Sequence, residues 1–358
     1  MATTRLALGL LLLVGCGTSS SSSSLAADAG PAAEASLDAH LEAEAEAAAP
    51  PLTACSETDP RTPPAKLIVM PDDGEGAFVS VLQQATKTID LMIYDLGTGG
   101  ILSELESKAK AGVAVRAILD QSEQSFDQPA FDALTAAGAK CEWSSTQFTY
   151  MHAKTFVVDA RTAIVSSGNF DASQMMVERN YAAVDTDPQD VEVLEALFDA
   201  DFARKNPSLS CTRLLVSPVN AEARIEALIK AAKKSVYVES MEFANGTWQA
   251  DVVAQYKAGL DVKVLLADTG FVSSNATAYG YLKANGVPGE YLADPVLHVK
   301  SIIVDGERAY LGSENLSYTS LNENREVGLE ILASDGEDVA RMTSTFMADW
   351  AKGTAFSP

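Results

Sequence analysis

The chain contains one unit written twice, and that duplication constrains its fold more tightly than any other feature of the sequence. Lys110-Ala111-Gly112-Val113-Ala114-Val115-Arg116 is echoed by Lys257-Ala258-Gly259-Leu260-Asp261-Val262-Lys263, residues 134–143 by 282–291, and Met151-His152-Ala153-Lys154 by Leu297-His298-Val299-Lys300. The offsets are 147, 148 and 146 residues, so the spacing barely drifts, and tandem duplication is the simplest account. The length of 358 residues, at 47% hydrophobic and 21% charged, supports the same partition, because globular chains average about one domain per ~150 residues.

Each copy alternates short β-type runs with helical patterns. In the first, residues 67–70, 89–94, 113–119, 155–158 and 163–166 are β-branched or apolar runs, while 78–86, 101–111 and 131–137 have helical spacing. In the second, 214–216, 236–239, 262–266, 301–304 and 309–311 match them, with helices near 221–233 and 246–258. Such short strands between helices predict an α/β fold whose sheets are covered on both faces. An amphipathic helix at 187–204 closes the first half and a hinge follows at 206–211. Segments 121–131 and 270–281 read as loops, and Trp248 reads either as core or as an aromatic lining an apolar pocket near the cleft.

The chain has three histidines, of which His152 and His298 occupy equivalent positions in the two copies. Each is followed by Lys two residues on and by Asp five residues beyond that: His152, Lys154, Asp159 and His298, Lys300, Asp305. Positions i and i+2 of a strand share a face, so each His and its Lys project into one cleft. Downstream of each Asp a strand ends in Ser166-Ser167-Gly168-Asn169 or Gly312-Ser313-Glu314-Asn315. The small residues permit close backbone approach, and the Asn amide can hold a phosphate oxygen. Glu178-Arg179-Asn180 and Asn324-Arg325-Glu326 then each lead into another apolar strand.

This pattern, His-x-Lys-x(4)-Asp followed by Gly-Ser-x-Asn and present twice, resembles the phospholipase D superfamily over roughly residues 64–352. The resemblance implies two tandem α/β phospholipase-D-like domains, 64–205 and 206–358, related by a pseudo-twofold. Their mixed β-sheets are flanked by helices, and the active site lies at the domain interface. It implies phosphodiester chemistry without metal or cofactor, in which one His attacks phosphorus to give a phosphohistidine and the other protonates the leaving alcohol. Lys154, Lys300, Asn169 and Asn315 would cradle the phosphate oxygens, and Ser167 and Ser313 would donate to an oxygen or simply end their strands. Asp159 and Asp305 would be structural. The family often supplies a carboxylate to the His ring from beyond the Gly-Ser-x-Asn run, a position held here by Glu326 and, in the other copy, by Asn180. Placing Glu326 beside His298 favours an imidazolium there, whereas an amide beside His152 does not. His152 is therefore assigned as nucleophile and His298 as general acid, an asymmetry similar to that of the tyrosyl-DNA phosphodiesterase branch. A two-residue shift would instead bring Glu178 to His152. The first motif departs from the pattern in having Ser166 where Gly is usual.

Residues 1–16 read as an export signal, with a short apolar run ending in Leu13-Val14-Gly15-Cys16. That ending resembles a bacterial lipobox, in which Cys16 is lipidated, so the expectation is an exported protein anchored to a bacterial membrane. Residues 17–63 are Ser/Ala/Glu-rich and cannot repay chain entropy by burying a core, which predicts a disordered tether. Cys55, Cys141 and Cys211 allow one disulfide and one spare thiol, in any of three pairings. The chain carries 26 Lys+Arg against 49 Asp+Glu; with residues 1–57 removed the balance is still −17. Such acidity argues against a broad nucleic-acid-binding surface. The favoured reading is a phospholipase D-type enzyme that hydrolyses or transfers phospholipid headgroups at a membrane surface, with no protein partner required. A metal-independent secreted nuclease and a non-catalytic phosphate-ligand-binding protein are the alternatives.

Overall fold

Each copy of the repeat builds one mixed β-sheet flanked by helices. The first sheet comprises β1 (Lys66–Met70), β2 (Thr88–Ile93), β3 (Ala114–Leu119), β4 (Lys140–Trp143), β5 (Lys154–Val158), β6 (Thr162–Ser166) and β7 (Glu178–Asp185), in the order β1-β7-β6-β5-β2-β3-β4. The second comprises β8 (Leu215–Ser217), β9 (Ser235–Ser240), β10 (Asp261–Ala267), β11 (Gly289–Leu292), β13 (Lys300–Val304), β14 (Arg308–Gly312), β15 (Glu326–Leu332) and the edge strand β16 (Thr354–Ala355). Its order, β16-β11-β10-β9-β13-β14-β15-β8, repeats the first strand for strand apart from β16. A short strand of the second copy, β12 (Val296–Leu297), pairs with β7 of the first. The computed structural model describes residues 59–209 and 212–356, all within one compact unit. The segments expected as signal and as tether up to residue 58, with Cys16, His40 and Cys55, lie outside the described residues, as does Cys211; Cys141, in β4, has no disulfide partner among the described residues.

The alternation along the central strands explains the layering. In β2, Ile89, Leu91 and Ile93 face an outer core with Phe78, Leu82, Ile101, Leu105 and Leu134, while Met92 faces the opposite way. In β9, Val236 and Val238 likewise meet Ile225, Leu228, Trp248 and Val252. The inner faces of both sheets share a third core, which also takes Leu194, Leu197 and Phe198 from α5 (Pro188–Phe202) and Met342 and Phe346 from α10 (Asp338–Trp350). Strands β5 and β13 are therefore buried along their whole length, as expected of strands covered on both faces. Trp248 is fully buried in the outer core of the second copy and not at the cleft. Among the described residues no helix is long and apolar enough to cross a membrane.

Two loop expectations give way to helices. Residues 121–123 form a 3₁₀ turn that continues into a helix at Gln124–Ala137, with Pro129 inside it, and Asn275–Ala284 is also helical. In the first of these, packing of Ala130 and Leu134 and a left-handed Gly138 at the C-terminus outweigh the local break suggested by proline. The tether also ends earlier than residue 63. Arg61 is buried, with Nε 2.7 Å from Asp190 and 3.1 Å from Asp185, and it donates to the Glu330 carbonyl of the second copy. Burial and two carboxylates make this segment part of the folded unit. Replacing Arg61 by Ala leaves Asp185 buried without its cation, while Asp190 keeps Arg213 at 3.3 Å, and should cost about 3 kcal/mol, measured as a shift in urea unfolding.

Candidate active site

The site is assembled by an exchange between the two copies. Met151 forms a parallel bridge with Arg325, so that His152 donates its backbone N–H to the Arg325 carbonyl at 2.9 Å and Arg325 donates to Tyr150 at 2.9 Å. In the mirror arrangement, Val296 and Leu297 pair in parallel with Glu178 and Arg179, and the His298 N–H reaches the Arg179 carbonyl at 3.2 Å. Each histidine thus lies against the strand of the opposite copy. Arg325 is bidentate on Asp201 of α5, at 2.7 and 3.1 Å, and Arg179 is held by Asp349 of α10, so the closing helix of each half locks the register of the other.

This exchange reverses the expected pairing of ring and carboxylate. Glu326 sits beside His152, with Oε2 2.8 Å from Nδ1, and not beside the His298 of its own copy. Asn180 faces His298, its Oδ1 3.2 Å from Nδ1, with Glu178 Oε2 at 3.4 Å. The sequence argument assumed that each half serves its own histidine, whereas the strand pairing crosses between halves. A shift of two residues also fails, because Glu178 approaches His298 rather than His152. The second oxygen of Glu326 accepts from Asn324 Nδ2 at 2.8 Å and from the Ser320 hydroxyl, the latter a positioning contact that no repeat signal had marked. A proton held on Nδ1 toward Glu326 leaves Nε2 as the lone-pair nitrogen of His152, which is the form a nucleophile needs.

Both lysines are buried at the start of the central strands. Lys154 donates to the His152 carbonyl at 2.8 Å, and Lys300 to those of His298 and Ser167 at 2.6 and 3.2 Å. Burial, reinforced by the neighbouring Lys300, brings Lys154 down to about 7, and burial brings Lys300 down to about 8 against the pull of Glu178. Burial also lowers His152, partly opposed by Glu326, and holds His298 well below the usual histidine range, where Lys300 and Lys154 add to the effect. Tyr94, at the end of β2, packs edge-on against His152 with ring centroids 4.7 Å apart, and Lys154 Nζ lies 5.2 Å over the same ring. Four groups able to carry positive charge therefore share a dry site, which is an arrangement suited to an anion.

The remaining candidates divide into those at the site and those behind it. Asn169 is buried; its Nδ2 contacts Gln174 at 3.1 Å and Asp95 at 3.5 Å, and its Oδ1 has no partner, nor has that of Asn315. Ser167 and Ser313 are engaged elsewhere. Their hydroxyls accept from the backbone of Tyr181 and Val327 and donate to Asn180 and to the Val327 carbonyl, so they knit strands. Asp159 and Asp305 hold turns. Asp159 accepts from the N–H groups of 86, 87 and 88, and Asp305 from those of 233, 234 and 235, which keeps both carboxyls well ionised. Ser166 is tolerated because glycine is needed there for space and not for a left-handed backbone. A Cβ on Gly312 would lie 2.4 Å from Glu314 and 2.5 Å from Gly328, and in the first copy Gly168 replaces that glutamate.

An oxyanion bound here would favour the charged forms of both lysines and raise their proton affinity. Binding of tungstate or phosphate near pH 8 should take up about one proton, detected by calorimetry in buffers of differing ionisation heat. Zero uptake would mean that both lysines are already charged in the empty site.

A family model described as "Cardiolipin synthase, PLD-like domain" matches residues 78–202 and again residues 225–350. Cardiolipin synthase A of Pseudomonas syringae pv. syringae is 25% identical over 329 residues, covering 80% of this chain and 68% of that protein. Cardiolipin synthase of Listeria monocytogenes is 29% identical over 136 residues, covering 37% of this chain and only 28% of the relative's length. Among solved structures, phosphatidylserine synthase of Haemophilus influenzae superposes with a TM-score of 0.67 at 13% identity, covering 84% of this chain and 89% of that one. Polyphosphate kinase of Porphyromonas gingivalis gives a TM-score of 0.62 at 16% identity, covering 80% and 50%. These two likenesses concern the fold.

Proposed function

Because the chain belongs to the phospholipase D superfamily, we propose that it cleaves or exchanges phospholipid headgroups through a covalent intermediate on His152. The observation that carries this reading is the pairing of His152 with Glu326 across the two copies, 2.8 Å apart, which fixes one ring nitrogen and frees the other. Nε2 of His152 attacks phosphorus, the bond from phosphorus to the leaving oxygen breaks, and His298 gives that oxygen its proton. Water or a second alcohol then attacks phosphorus, returns a proton to His298 and breaks the phosphorus–nitrogen bond. The anionic diester itself raises the proton affinity of His298 and charges Lys154 and Lys300, which offset the negative charge gathering on the phosphoryl oxygens.

His152 remains the nucleophile of this proposal, now for a different reason: the carboxylate beside it would orient the attacking ring and would not charge the acid. The lipid substrate is supported by the name of the cardiolipin synthases to which the chain is similar. The formal charge of −17 after residue 57, unsuited to a broad polynucleotide surface, points the same way. Lipidation at Cys16 belongs to this reading, since it would hold the enzyme at a membrane.

Two measurements test the proposal. The full chain, in excess EDTA, should release headgroup from phosphatidylcholine or phosphatidylglycerol vesicles, and His152→Ala should abolish this; cleavage of single- or double-stranded DNA alone would move the protein to the nuclease branch. On an activated phosphodiester, His298→Asn should accumulate acid-labile phosphohistidine while His152→Asn forms none. Label on His298 instead would exchange the two roles.

A further inference from the structure

Beyond the phosphate motif the two copies carry the same three residue types in opposite order. Glu178-Arg179-Asn180 enters β7 and Asn324-Arg325-Glu326 enters β15, and in each the arginine ties its strand to the other half's closing helix. With the arginines in equivalent places, the reversed order exchanges the group that touches the opposing imidazole. At His152 the carboxylate touches the ring and the amide stands behind it: Glu326 is 2.8 Å from Nδ1, and Asn324 donates to the far oxygen of Glu326 at 2.8 Å. At His298 the amide touches and the carboxylate stands behind: Asn180 Oδ1 is 3.2 Å from Nδ1, and Asn180 Nδ2 donates to Glu178 at 3.0 Å.

Ser167 accepts from the Tyr181 N–H, so its own hydroxyl hydrogen goes to Asn180 Oδ1 at 2.8 Å, while Nδ2 of the same amide is taken by Glu178. Asn180 is thereby fixed with its oxygen toward His298, and Nδ1 of that ring carries a hydrogen. Glu178 Oε2 lies 3.4 Å from the same Nδ1, so an amide oxygen and a carboxylate share one donor. A neutral ring held this way has a bare Nε2 and no proton to give; to protonate a leaving oxygen it must bind a second proton. Its cationic neighbours oppose that charge: Lys300 Nζ lies 3.3 and 3.4 Å from the two ring nitrogens, and Lys154 and His152 add to its effect. Asp95, the other acid whose charge Glu178 feels, is engaged by Gln174 and Asn169. Glu178 itself is raised by burial and drawn down by Lys300 and Asn180.

We propose that Glu178 is the positioning residue of the general acid: it shares the Nδ1 hydrogen with Asn180 and supplies the countercharge when His298 takes a second proton on Nε2. A carboxylate set back behind an amide can do this, because attraction between charges falls only as the inverse of distance whereas a hydrogen bond needs contact. In the transfer the Nε2 proton passes to the leaving oxygen, the ring returns to its neutral form with the hydrogen still on Nδ1, and Glu178 is a carboxylate before and after. This inference rests on the assignment of His298 as acid in the reading above and adds the group that charges it.

The test uses the full chain saturated with inorganic phosphate and follows the imidazole of His298 by NMR, assigned by its loss in His298→Asn. Glu178→Gln keeps the shape and removes the charge; it should lower the proton affinity of His298 about tenfold or more, since an opposite charge within about 4–6 Å is worth roughly 1–3 in pKa. A lowered pKa leaves the acid form only at lower pH, so in kcat/KM for monomeric dihexanoyl-phosphatidylcholine the alkaline limb should move to lower pH by about one pH unit or more. Bis(p-nitrophenyl) phosphate, whose leaving group departs unprotonated, should keep most of its rate. Glu178→Asn should behave as Glu178→Gln and serves in its place where that variant does not fold. Adding Asn180→Glu to it, which copies the order of the other half, should return both the pKa and the limb. An unchanged His298 pKa in the variants lacking the carboxylate, or a loss of rate equal on both substrates at every pH, overturns the proposal and leaves the phospholipid reading standing. Phosphohistidine on His298, or no cleavage of lipid by the wild type, overturns that reading, and the proposal with it.

Discussion

The crossing of backbone pairing between the two copies is the constraint on which the rest of the structure depends. Because the segment before each histidine pairs with a strand of the other copy, neither half contains a complete environment for its own imidazole. The exchange is held by the shared core between the sheets and by two arginine–aspartate pairs that tie each crossing strand to the other half's closing helix. Removing one member of such a buried pair leaves an uncompensated charge, so the same contacts that align the site also penalise its misassembly.

Burial does different chemical work at different places. Deep in the shared core, Glu239 accepts from Tyr181 at 2.8 Å, and burial pushes it up to about 8; Glu314, bonded to Tyr310 at 2.7 Å, is likewise pushed up to about 8 by burial and the nearby Glu326. These acids are kept neutral by holding a proton. At the cleft, burial instead lowers the two lysines and two histidines, so the positive groups are held ready and become fully charged when an anion supplies the countercharge. The positions of these groups are thereby set before an anion arrives, and its binding completes their charge.

Duplication explains the scaffold, and divergence explains the site. Strand order is shared, and Asp159 and Asp305 close equivalent turns with equivalent sets of backbone donors. Around the phosphate cleft the copies differ: Glu326 answers Asn180, and Glu314 answers Gly168. A nearly twofold frame with unlike residues at its axis can give two identical imidazoles unlike tasks.

The repeat, the α/β class and the His-Lys pairs were legible in the sequence because they depend on local rules. Period-two alternation places His and Lys on one face, and apolar runs mark strands wherever they are buried. Local rules failed where tertiary packing overrode them, as at the helix containing Pro129 and at Arg61, whose partners lie more than a hundred residues away. They left two readings open for Ser167 and Ser313 because a hydroxyl's partner is a matter of which strand lies alongside. Thus the sequence by itself determined the two His-Lys pairs and the strands that bear them. Only the tertiary structure decided that Glu326 serves His152 and Asn180 serves His298, because that choice depends on a pairing between distant strands, for which neither periodicity nor spacing carries a signal.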